Sequence, residues 1–344
     1  MVPRPFLFGA NAVRHRPVSA SSSPTDNANS LLASGETAAA VRLLSDAAGR
    51  DDPEALYTLA LWHVYGQPVP RDFGAARGLF ARAGNAGHAQ GKLTHAVFVA
   101  IGAGGPADWP AAVALLEAAA QNDPVAAKQV EVLAAMKLDA HGGPQSLPAI
   151  RALSASPRIG IAPALFTPSE CAHVSALAGP RMTPSVVVDP ASGRQIPHPI
   201  RTSDGTVLGP VQQDLVIHAL NMRVAAITGT REAQSEPLAV MRYTPGQQYR
   251  LHHDCLPGEA NQRIITLITY LNDGYRGGAT QFPTLEIEFQ ASLGDALMFA
   301  NVGRDGRVDE RSRHAGLPIT RGEKWICTRW IRGRDFDPWG MRPA

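Results

Sequence analysis

The sequence predicts an α+β protein: a domain of stacked α-helices, followed by a strand-rich domain backed by helices. Three observations carry this expectation. An alanine-rich pattern recurs every 36 residues between Glu36 and Leu116. The texture changes at Arg158, after which short β-branched runs are separated by Asn-Asp-Gly, Gly-Gly and Gly-Asp turns, the pattern of a sandwich or barrel of short strands. Two helical stretches, Ser169 to Ala178 and Val211 to Thr228, precede the main strands, as where helices back a sheet.

A chain of 344 residues can build two cores. A composition 44% hydrophobic and 18% charged is that of a globular protein rather than a disordered or fibrous one. With a net charge of +2 and its basic residues dispersed, no nucleic-acid partner is expected. No apolar run has the length of a membrane-spanning helix, so no membrane partner is expected either. Cys171, Cys255 and Cys327 are too few and too odd in number for a disulfide framework. The apolar stretch Pro5 to Ala10 is short for a signal-peptide core. The cytoplasm is the expected compartment.

Taken in order, residues 1–35 read as a flexible leader, because Val18 to Asn29 is rich in Ser, Pro, Asn and Asp. Residues 36–140 read as helical repeats. Segments opening at Glu36, Asp72 and Asp108 each end on a large apolar pair, and an acidic residue suits the first turn of a helix. Partner segments begin at Pro53, His88 and Pro124 and are rich in small residues, which let helices pack closely. His63, His88 and His95 lack the companions of a metal site and are expected to be structural. The pattern, with its loop Gly66 to Asp72, resembles Sel1-like repeats, relatives of tetratricopeptide repeats. The resemblance implies a candidate surface for a protein partner.

Residues 141–157 are expected to be a linker, 158–335 the strand-rich domain and 336–344 a tail. The strand candidates are Ser185–Val188, Leu238–Tyr243, Ile264–Leu271, Leu285–Phe289 and Trp325–Ile331.

Within this domain His252-His253-Asp254 places a His and an Asp two residues apart. On a strand both face one side while His253 turns away. Alone, the triplet fits a surface ion pair equally well. His314 follows sixty positions later and Lys324 ten beyond that. Two histidines and a carboxylate leave adjacent coordination positions open in non-haem iron sites. A hydrolytic zinc site could use the same ligands, but it would not call for a buried lysine. A buried Lys324 needs an anionic partner.

The blocks around these residues extend the pattern. They are Arg242 to Tyr249, the His252 triplet, Arg263 with Thr269 to Asn272, Gly277 to Pro283, Gly294 to Phe299, His314 to Gly316, and Gly322 to Trp325 with Trp330. Together they resemble the prolyl 4-hydroxylase branch of the iron/2-oxoglutarate oxygenases over roughly residues 158 to 333. The resemblance implies a double-stranded β-helix and a metal held by His252, Asp254 and His314, the catalytic centre. It implies that Lys324 anchors 2-oxoglutarate, with Thr280 and Tyr243 as hydrogen-bonding neighbours. It also places Glu236, Tyr249, Arg263 and Trp330 along the substrate groove. The cofactors implied are Fe(II), 2-oxoglutarate and O2, with ascorbate as a candidate reductant.

The expected reaction hydroxylates an unactivated C–H bond and releases succinate and CO2. A prolyl residue in a peptide or protein is the leading substrate. A free amino acid or other small molecule is the alternative, and a repeat scaffold carrying an inactive oxygenase domain is a third reading. Two departures bear on substrate: Cys255 stands where the family commonly has an aromatic residue, and the loop Leu256 to Gln262 is short.

Overall fold

The computed structural model describes residues 22–188, 195–197 and 200–340. The chain divides into two compact units: among the described residues, the first comprises residues 22–142 together with Gln213–His218, and the second the segments from Gly143 to Gln212 and from Ala219 onward. Among the described residues no helix is long and apolar enough to cross a membrane.

The first unit is built of α1 (Pro24–Ala33), α2 (Thr37–Gly49), α3 (Pro53–Tyr65), α4 (Phe73–Asn85), α5 (Ala89–Ile101), α6 (Trp109–Ala120) and α7 (Pro124–Ala135). From α2 onward each helix packs on the next, and α2, α4 and α6 begin 36 residues apart. Asp52, Asp72, Asp108 and Asp123 are N-caps whose side chains accept from the first-turn amides. Small residues set the spacing between helices. A Cβ on Gly91 would lie 3.0 Å from the Ala83 Cβ and 3.1 Å from the Gly84 amide, so the crossing of α4 and α5 has room for hydrogen only.

Helix α1 corrects the expectation of a flexible leader through residue 35. Ser23 accepts from the Asp26 amide, and the Asp26 carboxylate accepts from the Ser23 backbone, a complete capping box ahead of Pro24 at the first turn. Thr25 and Ala28 are buried. The polar stretch that looks like a leader is a cap followed by one amphipathic helix. The part of the leader before Ser22 lies outside the described residues.

The second unit begins with β1 (Arg151–Ala155), β2 (Arg158–Ala162), α8 (Pro168–Ala178), β3 (Thr183–Pro184), β4 (Val186–Val188), β5 (Gln195–Pro197) and β6 (Asp204–Leu208). Then come α9 (Leu215–Thr228), β7 (Leu238–Tyr243), β8 (Tyr249–His252), β9 (Arg263–Tyr270), β10 (Arg276–Gly277) and β11 (Thr280–Phe282). The last strands are β12 (Ile287–Phe289), β13 (Ala296–Ala300), β14 (His314–Gly316), β15 (Ile319–Arg321) and β16 (Lys324–Arg332). An antiparallel eight-stranded sheet runs β1-β2-β13-β9-β16-β7-β6-β3, and a four-stranded sheet runs β12-β11-β14-β8. Side chains of both sheets, among them Ile161, Tyr270, Phe282, Leu297, Phe299 and Ile326, form one core. The unit is therefore a two-sheet jelly roll, and the protein is α+β.

Three local differences from the sequence reading have physical causes. Residues 151–155 are not linker but an edge strand, registered on β2 with Arg151 opposite Ile161. Helix α9 starts at Leu215 rather than Val211, because Asp214 accepts from the Ile217 amide and acts as its cap. The run Leu285–Phe289 is broken at Glu286, which adopts a left-handed conformation (φ 55°) after a short 3-10 turn, so only Ile287–Phe289 pairs. Glu170 and Arg223 form a buried two-point ion pair that ties α8 to α9.

Candidate active site

His252 is the last residue of β8 and His314 the first of β14, and the register sets them directly opposite one another. That pairing brings residues 62 apart in sequence into one place, with ring centroids 4.3 Å apart. Asp254 lies two residues past the end of β8, in a bend rather than on the strand. His253 turns outward, and its Nε2 lies 3.1 Å from the exposed Glu310 carboxylate.

His252 Nε2 is 3.6 Å from Asp254 Oδ1, and His314 Nε2 is 3.8 Å from Asp254 Oδ2. Both distances are too long for hydrogen bonds, yet two metal–ligand bonds of about 2.1 Å can span them. One ligand atom from each of the three residues lies within 4.8 Å of the others, and all three are buried.

The donor chemistry fits an iron(II) ion. The Nδ1 of His252 lies 2.8 Å from the Arg250 carbonyl and that of His314 lies 3.1 Å from the Ser312 carbonyl. A carbonyl only accepts, so each Nδ1 carries the proton and each Nε2 is left with its lone pair inward. Burial pushes the His314 imidazole down to about 4, leaving it neutral at pH 7. Burial alone would raise the Asp254 carboxyl. In the acid range where this carboxyl titrates His314 is itself protonated, and its charge, with His252 and the Arg263 guanidinium, outweighs that effect and holds the carboxyl well below the usual carboxylate range.

A pocket between the sheets opens onto these groups. Its lining includes Met241, Tyr243, Tyr249, Ile268, Thr280, Leu317, Lys324, Ile326, Thr328 and Trp330. Lys324 sits opposite Tyr243 in the β16–β7 register. Its ammonium donates to the Gly278 carbonyl and lies 5.0 Å from the Tyr270 ring centre. Burial lowers its pKa to about 7. Gly278 makes room for this path: a Cβ there would come within 2.3 Å of Ile319 Cδ1 and 3.2 Å of Lys324 Cδ. Thr280 Oγ1 shares a 2.7 Å hydrogen bond with the Tyr270 hydroxyl. Lys324, Thr280 and Tyr243 therefore meet on one stretch of the pocket wall, with Tyr270 beside them.

The four residues expected along a substrate groove separate into two groups. Tyr249 and Trp330 line the pocket, and Tyr249 stacks on His252 with centroids 3.5 Å apart. Glu236 and Arg263 do not line it. They are 3% and 2% exposed and form a two-point ion pair, with the Arg263 guanidinium 4.1 Å from the Trp330 ring centre. Arg332 Nε lies 2.6 Å from the same Glu236 carboxylate. Arg263 also donates to the Asp254 carbonyl at 3.4 Å. The pair thus supports the pocket wall from behind.

Sequence reasoning assigned no role to Tyr270, Thr266 or Asn301. The first two were detectable as polar residues flanking the apolar Ile268 at alternate positions on one face of the central strand. Asn301 carried no signal, because its partner is set by tertiary contact alone.

A jelly roll carrying such a triad between its sheets is the architecture of the non-haem iron oxygenases. Comparison with known proteins makes the class specific. Residues 238–332 match the family model of the 2OG-Fe(II) oxygenase superfamily. The chain is 35% identical over 199 residues to prolyl 4-hydroxylase 1 of Arabidopsis thaliana, an alignment covering 52% of this chain and 70% of that protein. Among solved structures, it is similar to the viral collagen prolyl hydroxylase of Paramecium Bursaria Chlorella virus-1 in its 2OG complex. There the identity is 25%, the TM-score 0.42, and the coverage 51% of this chain and 96% of that one. A Sel1 repeat protein from Oxalobacter formigenes matches 32% of this chain and 86% of its own, at 23% identity and a TM-score of 0.29.

The chain belongs to the prolyl 4-hydroxylase-like branch of the 2OG-Fe(II) oxygenase superfamily. It is a 2-oxoglutarate-dependent dioxygenase that uses Fe(II), 2-oxoglutarate and O2.

Proposed function

We propose that this enzyme hydroxylates a prolyl residue within a peptide or protein, consuming 2-oxoglutarate and O2 and releasing succinate and CO2. In this reading His252, Asp254 and His314 hold the iron, and Lys324 receives the remote carboxylate of 2-oxoglutarate, with Thr280 and Tyr243 beside it. Bound iron, with O2 and 2-oxoglutarate, supplies the oxidation of an unactivated C–H bond. The chain supplies ligand geometry, a buried cation for the co-substrate and an apolar wall that keeps water from the reacting carbon.

One observation carries the choice of a peptidyl substrate. Among the described residues lining the pocket, Asp254 is the only carboxylate and Lys324 the only lysine or arginine, and in this reading both are used by the metal and the co-substrate. No other charged pair among the described lining residues is available to receive the ammonium and carboxylate of a free amino acid. The remaining lining, Met241, Tyr249, Ile268, Leu317 and Trp330, suits an uncharged ring. Relatives named as prolyl 4-hydroxylases support the same choice, and the helical repeats offer a surface for a protein partner.

The short loop Leu256 to Gln262 favours the second reading, a free amino acid. Gln262 clasps this loop through both the amide and the carbonyl of Leu256, which leaves little chain to cover a peptide.

The test compares proline-containing peptides with free proline and other amino acids for succinate release and for product mass gain of one oxygen atom. Turnover of free amino acids but not peptides would reverse the choice. Asp254→Ala and His314→Ala should each abolish substrate-coupled succinate formation, and turnover in either variant sinks the assignment of the site.

A further inference from the structure

Behind the carboxylate ligand lies a two-step hydrogen-bond relay. Thr266 donates its hydroxyl proton to Asp254 Oδ2 at 2.6 Å, and Asn301 Nδ2 donates to the Thr266 oxygen at 2.9 Å. Thr266 and Asn301 are 0% and 1% exposed. Chemistry fixes the direction of the relay. An ionised carboxylate only accepts, so the single Thr266 proton is used on Asp254, and the Thr266 oxygen can then take only a donor.

Asn301 is accordingly held with its amide N–H toward Thr266, while its Oδ1 is buried without a hydrogen-bond partner among the described residues. A flipped amide would satisfy that oxygen and take the hydroxyl proton away from Asp254. The orientation that leaves Oδ1 unpaired is the one that serves the carboxylate.

The relay is also rigid. Thr266 is β-branched and sits on a central strand, opposite Phe299 of β13 and Trp330 of β16. Asn301 is held at both backbone groups: its amide donates to the Ile264 carbonyl at 2.9 Å, and its carbonyl accepts from Asp309 at 3.0 Å.

Each oxygen of Asp254 lies under 4 Å from one of the two imidazole nitrogens, so proximity alone would let both oxygens bind one metal. Thr266 distinguishes them by engaging Oδ2. We propose that Thr266, backed by Asn301, is a positioning pair that confines Asp254 to ligation through Oδ1 and so keeps open the coordination positions that 2-oxoglutarate requires. A carboxylate chelating through both oxygens would take one of those positions. The inference rests on the reading of His252, Asp254 and His314 as the iron site.

The test uses the full chain, loaded anaerobically with Fe(II), and titrates 2-oxoglutarate while following the iron–2-oxoglutarate charge-transfer band. Melting of the metal-free protein is measured in parallel. Thr266→Val, close in shape but without the hydroxyl, should raise the 2-oxoglutarate dissociation constant about tenfold or more and shift the band. Thr266→Ser, which keeps the hydroxyl, should restore both. Asn301→Ala should shift them in the same direction by less.

A Val variant with the parent's affinity and band overturns the proposal, as does a Ser variant as impaired as the Val variant. Should Thr266→Val fail to fold, Asn301→Ala decides: weaker 2-oxoglutarate binding with unchanged metal-free melting supports the pair, and unchanged binding overturns it. A parent protein with no band at all overturns the iron reading itself, which separates the two failures.

Discussion

Lys324 is 3% exposed, and burial lowers its pKa to about 7, so a counter-charge placed beside it would favour its ammonium form. On the proposed role of Lys324, binding of the 2-oxoglutarate carboxylate should favour the ammonium, so the complex should take up a proton wherever free Lys324 is neutral. Below pH 7 the lysine already carries its proton and binding is proton-neutral. Above it, affinity should fall by up to about tenfold per pH unit. Calorimetric titration at pH 8 in two buffers of different ionisation enthalpy measures the uptake directly, and equal apparent heats would refute it. The same shift has a stability consequence. Without co-substrate, the folded state binds fewer protons at Lys324 than the unfolded chain between about pH 7 and the ordinary lysine value of 10.5. The lysine's contribution to stability therefore improves as pH rises through that window.

Elements divide by whether local pattern or tertiary partners decide them. Strands β7, β9 and β16 are legible because β-branched and aromatic runs end in turn residues, and the His252, His314 and Lys324 blocks are legible because their spacing is characteristic. Helix α1 and strand β1 are not. Ser-Pro-Thr-Asp-Asn reads as solvated chain until Ser23 caps the helix and Ala28 is buried. Residues 151–155 show no apolar alternation, because an edge strand leaves most of its side chains exposed. Ser23→Ala should therefore loosen α1 alone, at a cost of about 1 kcal/mol, seen as faster amide exchange over residues 25–33 with the second unit unaffected. The inward pairing of Glu236 and Arg263 was not legible in the sequence for a related reason. Position in a family motif does not tell which way a charged side chain turns, and these two turn onto each other. Glu236→Gln leaves the buried Arg263 and Arg332 guanidinia without their carboxylate, and should cost roughly 3–5 kcal/mol in urea unfolding. A loss below 1 kcal/mol would return Glu236 to the groove.

At the scale of the whole molecule, the oxygenase unit holds together two sheets whose inner faces supply both core and site. Met241, Tyr243, Tyr249, Ile268, Ile319, Ile326 and Trp330 belong to the packed cluster or lie against it, and also line the pocket. Tyr270 of the same cluster lies beside Lys324. Metal and co-substrate should therefore act as folding ligands for this unit, since the unfolded chain cannot assemble ligands sixty residues apart. At a 2-oxoglutarate concentration one hundred times its dissociation constant, in the presence of Mn(II) as a redox-silent stand-in, the gain is about 2.7 kcal/mol. That corresponds to a rise of roughly 5–10 °C in melting temperature for a unit of this size. Differential scanning calorimetry of the full chain measures it, and a chelator should reverse it. In Asp254→Ala the rise with co-substrate should be markedly smaller, because the metal loses one of its three protein ligands and the charge that ligand supplies. In Lys324→Met the metal alone should still stabilise while 2-oxoglutarate adds nothing. If Asp254→Ala kept the full shift, the co-substrate would have to bind outside the triad.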